Sequence, residues 1–506
     1  MKKNSSGNND IFKQNNNFKQ NIGRVITGLE ENNFIVQEGE FKYLNILKLC
    51  SLGLVDTCMG NNATSAYALC LLPPAPNQNP AKGQKPSVGY NPDNPDNYPA
   101  NINFIAPGGT FKLRADEAIV IIGQTPPPAV YFSFQSYLFF VENKPDKDYS
   151  DYFVIGNEDT GTYHRVFAAM GNATNNYNIW TENTPQGEEG FPYNSSTVII
   201  SSADKGVNKE IRESLYTAGY SLDIMNDDII PMDMTNMGLE KGKDNFLFLM
   251  RGAIWAEKYV GDAYIHNFDQ FMKVHRVTPK KPVTKLKPWS IPKLKVRETG
   301  TTEFQIIPSA RDDLDYLRNE IIEKYGSSEY NHIDLDTNLW VLNSYEGILQ
   351  DVDVLGDGRD ATYLKTNNFQ LATDDDFVIL YGVNHELSGK ATYCNCCFYG
   401  DEFLNGVAVA NVNIEFPYSA EGYFPEDYEN ARYYYLCKMA RKVDEDCLIT
   451  IPYSTGNLQG KAFGIDNNED AFIGFRLYLD QEALVGPALF DIIWDRAILF
   501  TKKKKS

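Results

Sequence analysis

Two distant stretches of the chain share one pattern, and a pattern written twice constrains the fold to be built twice. Phe111, Leu113, Asp116, Glu117, the apolar run 118–122, Gly123, Tyr131 and Tyr137 follow in order in the first half. Phe369, Leu371, Asp374, Asp375, the run 377–380, Gly382, Tyr393 and Tyr399 repeat the pattern in the second. In both, Leu follows Phe by two, the acidic pair follows Leu by three, and the tyrosines stand six apart. Further matches come later in the same order. Asp244, Phe246, Leu247 and Leu249 correspond to Asp470, Phe472, Ile473 and Phe475. Glu257, Tyr259, Val260, Gly261 and Ala263 correspond to Glu482, Leu484, Val485, Gly486 and Ala488, and Arg276 to Arg496. The pattern reads as an internal duplication; no short period of the solenoid kind is present.

The apolar runs are rich in β-branched and aromatic residues and read as strands. Those in the first half cover 67–72, 118–122, 130–140, 152–155, 165–170, 197–200 and 228–230; residues 447–451 form another in the second. Helices are expected over 208–218, capped by Asn208, over 312–325, and over 425–441, where Tyr428, Ala431, Tyr435, Leu436 and Met439 recur at helical spacing. The expected fold is α+β: two tandem similar halves, each a mainly antiparallel β-sheet with one or two helices, packed about a pseudo-two-fold. The parts are a polar arm (1–22), an N-terminal extension with a Pro-rich connection (23–100), a first half (101–277), a basic linker with an inserted helix (278–364), a second half (365–500) and a basic tail (501–506).

Of the 506 residues, 42% are hydrophobic and 23% charged, which is the balance of a globular protein. A net charge of −20 repels phosphate backbones and makes nucleic acid an unlikely partner for the body as a whole. No apolar run approaches the ~20 residues that a transmembrane helix needs. Eight cysteines are too few for a disulfide scaffold. A cytoplasmic location is favoured, with export left open; in an exported chain Cys58 with Cys70, and Cys437 with Cys447, are near enough in sequence to bridge. Residues 273–297 hold nine Lys/Arg, four Pro and no acid. They read as a strap on an acidic body, or else as a patch for anionic ligands or membrane surfaces.

Motifs for phosphate loops, dinucleotide folds, nucleophile elbows and zinc helices are missing from the sequence. Asp351, Asp353, Asp357 and Asp360 cluster around Gly356 and Gly358, and hard oxygen ligands on a glycine turn suit Ca²⁺. The stretch departs from the EF-hand pattern, and Asp and Gly are also plain turn formers. His385, preceded by Asn384 and followed by Glu386 and Lys390, is the best catalytic candidate, because an adjacent carboxylate can orient or charge an imidazole. The first half carries Thr125 and three prolines at the same place. Arg359 and Asp360 just precede the repeat and would join that site. Arg251 and Arg476 lie in apolar runs and call for buried acidic partners, with Asp116, Glu117, Asp374 and Asp375 at hand.

Two functional expectations follow. One is a soluble binding or structural protein that uses Tyr-rich sheet faces and a cleft between halves to hold a small molecule or a protein. The other is a hydrolase-like enzyme. There His385 is the general base, Glu386 or Asp360 orients it, and Lys390 or Arg359 holds an anionic group. Geometry separates them: a catalytic His385 sits in a cleft, within reach of a carboxylate and near Arg359.

Overall fold

The computed structural model describes residues 22–53, 55–76, 109–157, 161–326, 329–411, 414–454 and 458–503. The arm up to residue 21, most of the Pro-rich connection and the last three residues of the basic tail lie outside these. The fold is mixed α+β with strands dominating, and the chain forms two compact units. The first comprises residues up to 44 and 66–293; the second comprises 45–65 and 294–506. Residues 23–76 are thus not an extension to one half, because they supply strands to the first unit and a segment to the second.

The first unit contains β1 (Phe34–Glu38), β2 (Glu40–Leu44), β3 (Ser65–Leu71), β4 (Ala118–Gln124), β5 (Ala129–Glu142), β6 (Val154–Asn157), β7 (Gly161–Ala169), β8 (Thr174–Asn175), β9 (Ser196–Ser202), β10 (Met225–Ile229), β11 (Asn245–Trp255) and β12 (Met272–Pro279). They form two sheets rather than the single one expected, in the orders β1-β12-β4-β9-β10 and β2-β3-β11-β5-β7-β6, with β8 beside β5. The second unit contains β13 (Tyr330–Leu335), β14 (Thr337–Leu339), β15 (Ala361–Thr366), β16 (Phe377–Val383), β17 (Tyr393–Gly400), β18 (Asn405–Asn411), β19 (Tyr434–Ala440), β20 (Cys447–Thr450), β21 (Ala471–Tyr478) and β22 (Arg496–Lys502). Its sheets run β13-β22-β16-β19-β20 and β14-β15-β21-β17-β18. With the short β6 and β8 set aside, strands counted along each unit fall in the same two orders, 1-10-4-7-8 and 2-3-9-5-6. The last pair of the first sheet is parallel in both units.

Burial explains the continuous apolar runs. In β16, Val378 and Leu380 face a core shared with β17 and β21, while Phe377, Ile379, Tyr381 and Val383 face the helix Ala310–Tyr325. That helix presents Leu314, Leu317 and Ile321 to the sheet, so β16 has no solvent face and needs no polar alternation. β4 is buried in the same way: Ala118, Val120 and Ile122 pack under Val207, Ile211 and Leu215 of the helix Lys205–Thr217.

Three local expectations change. The cap of Lys205–Thr217 is Asp204, whose carboxylate accepts from Val207 N at 2.9 Å; Asn208 lies inside the helix and donates to Asp227 and Ser202. Residues 425–441 are no helix: a 3₁₀ turn, Glu429–Tyr433, leads into β19. Every residue of β19 is buried, so its apolar positions reflect a strand covered on both faces rather than a helical stripe. Cys58 pairs with Cys50 rather than with Cys70, which is a buried free thiol, and the side chain of Cys447, the expected partner of Cys437, lies outside the described residues.

Candidate functional site

The turn between β16 and β17 holds the residues that the sequence singled out. Asn384 Oδ1 accepts from Glu386 N and Leu387 N at 3.2 and 3.4 Å, and Lys390 N donates to His385 O at 2.8 Å. These short-range bonds curl the turn inward. His385 and Lys390 are buried, at 1% and 3% exposure, whereas Glu386 points to solvent.

His385 lies between two carboxylates. Nδ1 is 2.7 Å from Glu303 Oε1 and Nε2 is 3.3 Å from Asp495 Oδ2. Glu303 also accepts from Ser388 Oγ at 2.6 Å and Ile493 N at 2.5 Å; Tyr435 OH donates to Asp495 Oδ1 at 2.6 Å. Burial alone would strip the ring of its proton, but the charges of Glu303 and Asp495 overcome it and raise the pKa to about 10. At neutral pH the ring is an imidazolium with both N–H groups facing carboxylates. It has no lone pair with which to take a proton, and the general-base role loses its physical basis.

Lys390 belongs to a second buried cluster. Its Nζ donates to Thr299 Oγ1 at 2.6 Å and lies 3.3 Å from Asp480 and 3.8 Å from Asp491. The first carboxylate also accepts from Glu482 N and Ala483 N, and the second from Thr299 N. The lysine is therefore occupied within the fold.

Arg359 and Asp360 sit beside residues 295–297 instead. Arg359 donates to Lys295 O, and Gly486 N donates to Arg359 O at 2.8 Å. Burial, and then the neighbouring Arg297, lower the Arg359 pKa to about 10. The acidic turn does not gather its carboxylates either. Asp357 accepts from Ser344 N and Oγ, both at 3.0 Å, and Asp353 accepts from Leu355 N at 2.8 Å. Among the described residues no three His, Cys, Asp or Glu side chains converge as metal ligands do, so the calcium expectation for Asp351, Asp353, Asp357 and Asp360 is not carried forward. Asp353 closes a local turn, and Asp357 is held at the start of the helix Ser344–Gln350.

The Tyr-rich sheet faces are not available for recognition, since Tyr131, Tyr137, Tyr393 and Tyr399 are at most 1% exposed. Tyr137 and Tyr399 instead lie against Arg251 and Arg476. Arg251 donates to the Tyr137 hydroxyl; Arg476 donates to the Tyr399 hydroxyl and to Gly60 O. Of the expected acids, Glu117 holds Arg276 at 2.9 Å, and Asp374 and Asp375 serve Tyr453 and Lys442.

Asp495 connects the His385 cluster to open space. It lines a groove of about 600 Å³ together with Phe304, Arg318, Asp334, Asp336, Trp494 and Arg496, among others. Across the groove Arg318 pairs with Asp334 and Arg496 with Asp315, at 2.5 and 2.8 Å. The sequence reading missed Glu303 and Asp495. Two signals pointed to them: the capping box that Thr302 forms with Gln305 around Glu303, and two aspartates set four apart in the apolar run 490–495.

No family model matches the chain, and no curated protein matches it. Two solved structures show a distant likeness. One is an uncharacterised protein from Burkholderia cenocepacia, with 9% identity, 96% of this chain and 88% of that chain covered, and a TM-score of 0.37. The other is a protein from Vibrio parahaemolyticus, with 10% identity, 78% and 88% covered, and a TM-score of 0.32. Neither carries a functional argument. Among the described residues no helix is long and apolar enough to cross a membrane.

Proposed function

We propose that this chain is a binding protein and that its ligand occupies the groove over Asp495 in the second unit. The observation that carries this reading is the groove itself: a concave space of about 600 Å³ that mixes apolar walls with charged groups. Such mixtures bury a ligand and fix its orientation. The ion cluster behind it supports binding over catalysis. His385, Glu303 and Asp495 already satisfy one another, which makes a rigid floor.

We also propose that the two units arose by duplication, supported by their common strand orders and by one register-matched pair. In β11 and β5, Leu247 lies opposite Tyr137 and Arg251 opposite Ser133. In β21 and β17, Phe472 lies opposite Tyr399 and Arg476 opposite Asn395. Each arginine reaches the hydroxyl of the corresponding tyrosine. This register sets Phe246 against Ala471 and Leu247 against Phe472, one residue off the sequence match of Phe246 to Phe472 and Leu247 to Ile473, and the match of Arg276 to Arg496 does not fit it either. Arg276 lies opposite Ile119 and Arg496 opposite Tyr381, which differ in distance from their strand starts, Ala118 and Phe377.

A thermal-shift screen of amino acids, short peptides and small organic ions tests the groove. Hits should raise the melting midpoint of the wild type, by about 2.7 kcal/mol of stabilisation at a hundredfold excess over Kd. The shift should vanish in Leu335→Trp, which fills the groove. A screen without hits, or hits unaffected by Leu335→Trp, overturns the reading.

A further inference from the structure

The charges around the groove do not balance, and the imbalance has a sign. Arg318 is paired with Asp334 and Arg496 with Asp315. His385 alone stands between Glu303 and Asp495. Asp336 lies exposed on the wall, and its carboxylate accepts from the Asn367 amide at 3.2 Å. Five carboxylates thus meet three cations, a formal excess of two negative charges on the groove and its floor. Part of that excess is buried: Glu303 and Asp495 are 0% and 3% exposed, in surroundings that screen charge poorly.

The rest of the lining is apolar or aromatic. Leu335, Ile492 and Trp494 line it, with Phe304 44% exposed at its side. The Trp494 indole is fixed by a bond from Nε1 to Leu489 O at 2.9 Å. A cation at the end of an aliphatic stem matches both features, because the stem covers the apolar wall while the head meets carboxylates and ring faces. The third feature is backbone. Asp334 and Leu335 end β13, the outer strand of its sheet, which pairs with β22 and with no other described strand. Its residues Asn331 to Asp334 are exposed. An outer strand offers N–H and C=O groups to an extended segment.

From this complementarity we infer that the groove receives the lysine or arginine side chain of a peptide partner whose backbone runs along β13. The inference rests on the groove being the binding site and adds the class of ligand.

Three blocked alanine pentapeptides with lysine, norleucine or glutamate at the centre, and n-butylamine as a free amine, test it by calorimetric titration and tryptophan fluorescence of the full chain. The lysine peptide should bind about fivefold more tightly than the other two, the range of an exposed ion pair, and weaken as salt rises. Asp336→Asn should weaken it by about threefold on the same grounds, and since Asp336 is exposed the variant folds. Trp494→Phe should abolish the fluorescence change. Equal binding of the glutamate or norleucine peptide overturns the charge assignment while leaving the groove in use. Equal binding of n-butylamine overturns the peptide assignment. No binding of the lysine peptide overturns the inference. A fluorescence change that survives Trp494→Phe places the peptide elsewhere and overturns both this inference and the groove reading.

Discussion

His385 shows how one buried cation organises its neighbours. Replacing it with alanine leaves Glu303 and Asp495 buried without a counter-charge, and breaking such a cluster costs about 3–5 kcal/mol. Chemical denaturation of His385→Ala should show a loss of that size; a loss below about 1 kcal/mol would mean that the carboxylates are not held by the ring. The pH dependence has a definite direction. The folded pKa of about 10 lies above the ordinary 6.5, so the contribution is complete below 6.5 and is lost as pH rises through 10. The stability difference between wild type and His385→Gln should therefore shrink from pH 6.5 to 10, and a difference that grows would refute the cluster. At this scale the sequence singled out His385 but not the carboxylates that hold it. His385 stands out because imidazole is rare in this chain, but its partners lie 82 and 110 residues away, and no local pattern connects them. Adjacent Glu386, the obvious partner by spacing, faces solvent.

At the scale of elements, burial decides what a hydrophobic pattern means. The helix Ala310–Tyr325 was legible because one face alone is covered, so Leu314, Leu317 and Ile321 stand out from polar neighbours. Leu317→Ala should cost about 2–5 kcal/mol, measured as a fall in denaturation midpoint, since Leu317 is fully buried against the sheet. β19 was not legible. A strand covered on both faces has no alternation, and the aromatic spacing across 428–439 imitates a helix by chance. The carboxylate of Asp204 accepts from Val207 N and also from Lys287 N, so Asp204→Ala removes a helix cap and a loop anchor together. It should cost more than the ~1 kcal/mol of a simple cap. A loss no larger than that would show that the Lys287 bond contributes nothing.

Across the whole molecule one early segment of the chain belongs with the second unit rather than the first. Residues 45–65 leave the first unit between β2 and β3, two paired strands, and complete the second. There Asn62 donates to Tyr478 OH at 3.0 Å and accepts from Asn395 at 2.8 Å, while Tyr399 OH donates to Asn61 O at 2.6 Å. The Cys50–Cys58 disulfide closes the loop that leads into these residues. Asn62→Ala and Asn395→Ala should each destabilise by about 1–3 kcal/mol, and by less than the sum when combined, because they share one network. Strict additivity in that double-mutant cycle would show that the network does not act as a unit. No composition shift marks the segment, so its destination was invisible in the sequence.

The separation of Asn62 from Tyr478 is 416 residues. A ribosome adding about 5–20 residues per second needs roughly 20–80 s to cover that distance. Throughout that interval the polar hook at 60–64 has been made, and β2 and β3 can pair on either side of it, before Tyr478, the last of the residues that receive it, exists. The second unit thus closes last around a piece of chain made near the beginning, and a stall anywhere before residue 478 leaves the hook without its socket.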